Sequence, residues 1–159
     1  MSLKPQREHL WLRQLIGEWT YESVLQEPGK GPARSEGSER VRPIGAYWVV
    51  AEGQGEMPGY GRATTLMTLG FDARKRRYVG SWVGSVMSCL WIYEGTVDAT
   101  GRKLTLYAEG PDPLRDGTLA KYRDVIEIKS EAHRVLTSAV MHEDGTWGEL
   151  LRTDYRRWE

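Results

Sequence analysis

The sequence holds a single cysteine, Cys89, and a single phenylalanine among its 159 residues. One cysteine excludes an intramolecular disulfide and leaves no cysteine cluster for a metal. An excess of either charge is also missing, because 22 basic residues balance 22 acidic ones. This balance argues against nucleic acid or an anionic membrane surface as a partner. No apolar stretch is long enough to cross a bilayer or to act as an N-terminal signal, so we expect a soluble cytoplasmic protein.

Motifs of the common enzyme classes are missing as well. The chain has no nucleophile elbow, phosphate-binding loop, dinucleotide fingerprint or zinc-ligand spacing, and we therefore expect no cofactor and no metal. His9, His133 and His142 fall in a predicted helix, a turn and the charged face of a strand end, and we interpret all three as surface residues. Cys89 lies in the apolar run 86–91 and is interpreted as a packed thiol rather than a nucleophile.

Aromatic side chains with a polar edge are abundant, with 7 tryptophans and 8 tyrosines. Such rings are favoured where apolar surface must also offer hydrogen bonds, as in lined pockets and interfaces. The chain length fits one domain, which we assign to residues 1–159.

One short helix is predicted for about Pro5–Ile16, since Pro5 suits a first helical turn and Gly17 ends the pattern. From Trp19 onward, apolar and polar residues alternate with a period of two, which is typical of strands. A loop is predicted at 27–36 and a turn at 57–61. The predicted strands cover residues 19–26, 38–42, 46–56, 63–71, 77–84, 88–97, 103–109, 119–129, 134–142 and 147–158.

Consecutive strands with hairpin connections and no crossover helix indicate an antiparallel meander. Closing such a sheet on itself removes its exposed edges. We therefore predict an all-β protein, an antiparallel up-and-down barrel of about ten strands, with the short N-terminal helix closing one end.

The step from the helix through Gly17 to Trp19 resembles the calycin superfamily of lipocalins, fatty-acid-binding proteins and their relatives. A closer resemblance covers most of the chain and is carried by the runs WVVAEG at 48–53, TLMTLG at 65–70, YVGSW at 78–82, LWIYEG at 90–95 and KYRD at 121–124. These runs are similar to those of a bacterial family classed as domain of unknown function 1579. The resemblance implies a lipocalin-like barrel and no particular activity. Nitrobindin-like relatives hold haem through a histidine near the C-terminal end, and the predicted last strand contains no histidine.

Every second residue of a barrel strand points inward, and charged residues mark the outer face. The predicted inward residues are Tyr78, Gly80 and Trp82 on strand five; Cys89, Trp91 and Tyr93 on strand six; Tyr122, Asp124, Ile126 and Ile128 on strand eight; Val135, Thr137, Ala139 and Met141 on strand nine; and Leu151, Thr153, Tyr155 and Arg157 on strand ten.

We predict that an aromatic group of these inward residues, with one carboxylate, lines a single ligand-binding cavity: Trp82, Trp91, Tyr93, Tyr122, Asp124 and Tyr155. An isolated ionised carboxylate among apolar groups is disfavoured, so Asp124 must be hydrogen-bonded, paired or neutral. Two interpretations stay open. Asp124 joins Tyr122 in a buried polar network, or it orients a polar group of an otherwise apolar ligand together with Tyr93 or Tyr155.

Strand three alternates so that Glu52 and Glu56 share a face with Trp48 and Val50. We place this face outside, because two carboxylates inside the barrel would repel each other. On this outer face, Trp48 and Val50 form an apolar patch together with Leu90 and Ile92 on the outer face of strand six. We predict that this patch is buried in a homodimer.

Three hypotheses of function follow. The first is non-catalytic binding of a small apolar or aromatic ligand inside the barrel. The second is a cofactor-free enzyme that uses Asp124 as a general acid or base beside Tyr93, Tyr122 or Tyr155. The third is an interaction module whose barrel is filled solid.

The topology also predicts one structural contact. In a closed barrel with an even number of strands, the first and last strands are antiparallel neighbours, which brings Trp19 close to the segment 155–158. We predict that Arg157 lies over the Trp19 ring and hydrogen-bonds the carbonyls at the end of the helix. This pairing resembles the arginine–tryptophan contact of lipocalins.

Overall fold

The computed structural model describes residues 4–57 and 60–158. Its elements are α1 (Arg7–Arg13), β1 (Gly17–Leu25), β2 (Ala33–Ile44), β3 (Trp48–Met57), β4 (Gly61–Asp72), β5 (Arg77–Gly84), β6 (Trp91–Val97), β7 (Lys103–Pro111), β8 (Leu119–Ser130), β9 (His133–Met141) and β10 (Trp147–Arg157). Each strand pairs with its neighbours in the chain, and β1 also pairs with β10, so the sheet is a closed barrel. The predicted ten-stranded antiparallel barrel is confirmed.

Two predictions fall partly on residues outside the described ranges. These are the N-terminal segment without a signal sequence, which includes residues 1–3, and the turn after β3, which includes residues 58 and 59. In the described part of the chain, no helix has both the length and the apolar character that a membrane crossing requires.

The helix is shorter than predicted, and it closes one end of the barrel. Leu12 and Leu15 are buried against the strands, where they join the main core. The chain enters β1 at Gly17, whose φ of 141° is accessible mainly to glycine. A Cβ at this position would also overlap the guanidinium of Arg157. Gly17 is therefore required both by the backbone turn and by the side chain that packs on it.

The predicted contact between Arg157 and Trp19 is confirmed. The guanidinium carbon lies 4.2 Å from the centre of the indole ring. Nη1 donates to the Ile16 carbonyl at 2.6 Å, and Nη2 donates to the Gln14 carbonyl at 3.0 Å. These are carbonyls at the C-terminal end of the helix, which have no partner within the helix itself. Arg157 thus joins the last strand to the helix and to the first strand.

The prediction that His9 is a surface residue was wrong. Its side chain is only 5 % exposed, since the face of α1 that carries it packs on the barrel. Nδ1 accepts the Gln6 amide at 2.9 Å, and Nε2 donates to the Phe71 carbonyl at 3.0 Å. His133 is partly buried and contacts Asp154 at 2.8 Å, whereas His142 is exposed, as predicted.

Strand β2 begins earlier than predicted, at Ala33, and continues through Pro43 to Ile44. Residues 33–36 have weak intrinsic strand preference, but they pair along residues 22–25 of β1. Pairing with a neighbouring strand therefore outweighs local propensity here. Strand β6 begins later than predicted, at Trp91, so Cys89 precedes the strand.

The inward faces of β5, β8 and β10 are as predicted, but that of β9 is shifted by one residue. Leu136 and Ser138 face the barrel interior, in place of Val135 and Thr137. The error arose from Arg134, which had been placed outside because it is charged. It is 5 % exposed and forms a buried ion pair with Glu39 of β2.

The outer face of β3 is also as predicted, since Glu52, Gln54 and Glu56 are all exposed. Val50 shares this face but is only 4 % exposed. The chain itself therefore covers Val50, which is unavailable to the apolar patch that was predicted there.

Candidate functional site

A cavity of about 330 Å³ lies in the half of the barrel away from the helix. The helix half is filled by packed side chains, among them Leu12, Trp19, Leu104 and Leu106. The barrel is therefore open rather than filled solid, which contradicts the third hypothesis. The volume is at the lower end of the range for small-molecule pockets.

All six residues of the predicted site line this one cavity: Trp82, Trp91, Tyr93, Tyr122, Asp124 and Tyr155. They come from four strands whose registers bring them together. Trp82 lies directly opposite Trp91 across β5 and β6, and Asp124 lies opposite Ser138 across β8 and β9. Their role as ligand contacts stays a prediction.

Strand β7 makes room for one of the large rings. Gly110 lies beneath Trp91, and a Cβ at Gly110 would overlap the six-membered part of the indole. Trp91 in turn packs edge to face against Tyr122, with the ring centres 4.8 Å apart and the planes at 89°. This is a preferred geometry for aromatic pairs. The pair forms one wall of the cavity.

The carboxylate of Asp124 is held by two neutral donors. Tyr93 Oη donates to Oδ2 at 2.6 Å, and Ser138 Oγ donates to Oδ1 at 2.5 Å. Burial raises the pKa of Asp124 above its usual value, while these two hydrogen bonds act against the rise. Burial also raises the pKa of Tyr93 well above its usual value, and the nearby charge of Asp124 adds to this. The proton between the two groups therefore stays on Tyr93, and Asp124 is the acceptor.

The expected network between Tyr122 and Asp124 does not form. The hydroxyl of Tyr122 donates to the Pro111 carbonyl instead. Burial raises the pKa of Tyr122 to about 12, so this phenol stays protonated at neutral pH. The polar partners of Asp124 are Tyr93, which was expected, and Ser138, which was missed because the face of β9 had been assigned incorrectly.

The cavity wall also contains an unpaired donor. The indole N–H of Trp91 is buried and has no hydrogen-bond partner within the described residues. A buried donor without a partner costs about 1–3 kcal/mol. Such groups are usually explained by a water or a ligand that supplies an acceptor.

A second polar group lies deeper, where the cavity meets the packed core. Glu39 of β2 and Arg134 of β9 form an ion pair in which the side chains are only 11 % and 6 % exposed. The guanidinium carbon of Arg134 lies 3.8 Å from the ring centre of Tyr155 and 4.8 Å from that of Trp19. Sequence reasoning missed both charged residues. Only Arg134 carries a signal, as a lone charge in the otherwise apolar strand β9.

Metal binding has no support in the described part of the chain. No three side chains among its histidines, cysteines, aspartates and glutamates are grouped so that they could hold a metal ion.

A family model described as protein of unknown function (DUF1579) matches residues 4–157. The chain belongs to this family. The resemblance found in the sequence is thereby confirmed, and the family supplies no activity with it. A comparison with curated protein sequences finds no significant match.

Solved structures with the same fold have little sequence in common with this chain. Rv2717c from M. tuberculosis has a TM-score of 0.68 at 14 % identity, over 98 % of this chain and 100 % of that one. The S-type phycobiliprotein lyase CPES from Guillardia theta has a TM-score of 0.59 at 13 % identity, over 98 % of this chain and 99 % of that one. A redesigned β-barrel, mFAP0, bound to DFHBI, has a TM-score of 0.50 at 14 % identity, over 91 % of this chain and 99 % of that one. At such identities the likeness shows the fold alone.

Proposed function

We propose that this protein binds a small, flat, mainly apolar molecule inside the barrel, without catalysis, and orients it through one polar group at Asp124. The observation that carries this proposal is the open cavity with aromatic walls, at whose side Tyr93 and Ser138 hold the carboxylate of Asp124. Pockets of this composition, apolar with few and well-placed polar groups, are typical of small-ligand sites.

The hydrogen-bonding capacity of the cavity defines how such a ligand would be held. An ionised carboxylate offers about four acceptor positions, of which Tyr93 and Ser138 use two. Asp124 can therefore accept a further hydrogen bond from an N–H or O–H of the ligand. The rings of Trp82 and Trp91 supply flat apolar contact.

One protein of the same fold, the redesigned β-barrel mFAP0, was solved with DFHBI bound, which supports ligand binding by a barrel of this kind. The cavity at the end of the barrel opposite the helix is where this chain has space for a comparable aromatic molecule.

The test is a calorimetric titration with 2-naphthylmethanol, which combines a flat aromatic body with one O–H donor. We expect saturable binding to the wild type. Asp124→Asn should weaken it about tenfold, because a hydrogen bond to a charged acceptor is lost. Glu52→Gln is the matched control, since it makes the same change on the outer face of β3. No binding to the wild type, or equal affinity in the Asp124→Asn variant and the wild type, would contradict the proposal.

Native mass spectrometry of protein purified from its own host would identify the molecule itself. A retained small molecule that is absent from the Asp124→Asn variant would support the site as well as the function.

A second candidate function is proton transfer to or from a bound substrate without a cofactor. The contact that favours it is the one between Asp124 and Tyr93, since a carboxylate of raised pKa beside a second titratable group is suited to act as a general base. Incorporation of deuterium from the solvent into a weakly acidic ketone such as 2-tetralone would support this activity if the wild type catalyses it and the Asp124→Asn variant does not. Absence of exchange above the buffer rate in the wild type would rule against it.

A further inference from the structure

The charges around the cavity all have one sign. The lining includes four carboxylates, those of Glu39 and Asp124 inside the barrel and those of Glu27 and Glu56 at its mouth, and among the described residues no lysine, arginine or histidine lines the cavity. The chain as a whole is neutral, with 22 basic and 22 acidic residues, so this asymmetry belongs to the cavity and not to the composition.

Three of these carboxylates have a basic neighbour outside the cavity lining. Glu27 lies 3.8 Å from Lys30, and Glu39 forms the buried ion pair with Arg134. Glu56 lies directly opposite Arg62 across β3 and β4. Their charges are thus compensated within the chain.

Asp124 differs from the other three. Its hydrogen-bond partners, Tyr93 and Ser138, are both neutral, and it forms no ion pair with any described residue. A buried carboxylate without a counter-charge is costly in free energy, and that cost is removed when a cation takes the adjacent position. The position next to Asp124 is the cavity itself.

The other walls of the cavity favour the same kind of ligand. The cavity lining includes the rings of Trp82, Trp91 and Tyr93, and the faces of such rings attract a cation within about 6 Å. An anion would meet the opposite situation, because it would find no basic side chain in the lining and would be repelled by Asp124.

We infer that the ligand is an apolar organic amine, bound as its ammonium ion against Asp124 and enclosed by the aromatic rings. This inference rests on the proposed function, since it assigns a charge class to the ligand of the same cavity. It excludes fatty acids and other apolar carboxylates as ligands.

The test compares three ligands of nearly equal shape on the wild-type protein. At neutral pH, 2-naphthylmethylamine is a cation, 2-naphthylmethanol is neutral and 2-naphthoic acid is an anion. We expect the amine to bind about tenfold to a hundredfold more tightly than the alcohol, as charge-assisted hydrogen bonds allow, and the acid not to bind measurably. Calorimetry at low and at high sodium chloride concentration separates a buried contact with Asp124 from attraction to Glu27 and Glu56 at the cavity mouth, since only the latter is strongly screened by salt.

Variants that replace single carboxylates test which residue causes the preference for the amine. Asp124→Asn should remove the advantage of the amine over the alcohol, whereas Glu52→Gln on the outer wall should leave it unchanged. If Asp124→Asn does not fold, the three-ligand comparison on the wild type decides the inference without it.

The outcomes distinguish the two proposals. Binding of the alcohol as tight as that of the amine, or tight binding of the acid, would overturn the amine inference and leave the proposed function standing. An amine preference that persists in Asp124→Asn would also overturn it. Binding of none of the three ligands would overturn both.

Discussion

At the scale of single residues, the chemistry of the cavity is concentrated on Asp124. Its charge is enclosed by the barrel wall, yet among the described residues only two neutral hydroxyls, those of Tyr93 and Ser138, donate hydrogen bonds to it. Ionisation of this residue therefore opposes folding unless a ligand compensates it. The neighbouring phenol of Tyr93 remains the donor at all pH values near neutrality, because its pKa is raised well above the usual value.

A pH-dependent loss of stability follows from this environment. Since the folded-state pKa of Asp124 is raised above the unfolded value of about 3.8, the folded protein holds this proton more tightly than the unfolded chain does. The free energy of unfolding of the wild type, relative to that of Asp124→Asn, should therefore fall as the pH rises above about 4 and through the raised pKa.

Urea unfolding of the two proteins from about pH 3 to about pH 8 measures this difference. Asp98→Asn serves as a comparison, because the hydrogen bond from Thr100 lowers the pKa of the exposed Asp98. A difference between wild type and Asp124→Asn that stays constant over the range, or that changes in the opposite direction, would contradict the assignment.

At the scale of elements, the passage from α1 into β1 depends on a residue that is distant in the sequence. The helix has about two turns, and the carbonyls of Gln14 and Ile16, in the segment that follows it, accept hydrogen bonds from Arg157. Arg157 also stacks on Trp19, so one side chain holds together a helix end and the first and last strands. The barrel is closed by this contact as well as by the ladder between β1 and β10.

Arg157→Ala should therefore lower the free energy of unfolding by about 1–3 kcal/mol, through the lost stacking and the carbonyls left unpaired. Ligand affinity should stay within about twofold, because Arg157 lies at the opposite end of the barrel from the cavity. Chemical denaturation and calorimetry measure the two effects. Arg156→Ala, an exposed change one residue away, should alter neither. A loss of affinity without a loss of stability in Arg157→Ala would show that the contact is part of the site.

At the scale of the whole molecule, the closed barrel leaves no free strand edge, so any association must use the outer faces of the strands. Leu90 and Ile92 are 57 % and 60 % exposed there, and Trp48 is 42 % exposed. Strands β3 and β6 are separated by β4 and β5, and Val50 is covered by the chain itself. The predicted patch is thus narrower than the sequence implied, and lies mainly on β6.

The homodimer stays a prediction. We expect Ile92→Glu to shift a dimer to monomer in sedimentation experiments at micromolar concentration, because it would bury a charge in an apolar interface. Glu94→Gln, on the same outer face of β6, is the control. A wild type that sediments as a monomer would contradict the dimer.

The alternation of residues along the strands was sufficient to predict the barrel, the number of its strands and most of its inner surface. On β8, Lys121, Glu127 and Lys129 mark the outer face, so Tyr122 and Asp124 could be assigned to the interior. The cost of burying an unpaired charge makes such assignments reliable where one face is charged and the other is not. Strand parity and barrel closure alone were likewise sufficient to predict the contact between Arg157 and Trp19.

Where a strand does not have one charged and one uncharged face, only the tertiary structure decided which of its residues point inward. Strand β9 has no face that is marked by several charges, and the assumption that Arg134 lies outside was wrong because Glu39, distant in the sequence, compensates its charge. The early start of β2 and the burial of His9 likewise depend on neighbours that local sequence does not reveal. Pairing between distant residues changes the cost of burial, and only the fold determines which residues meet.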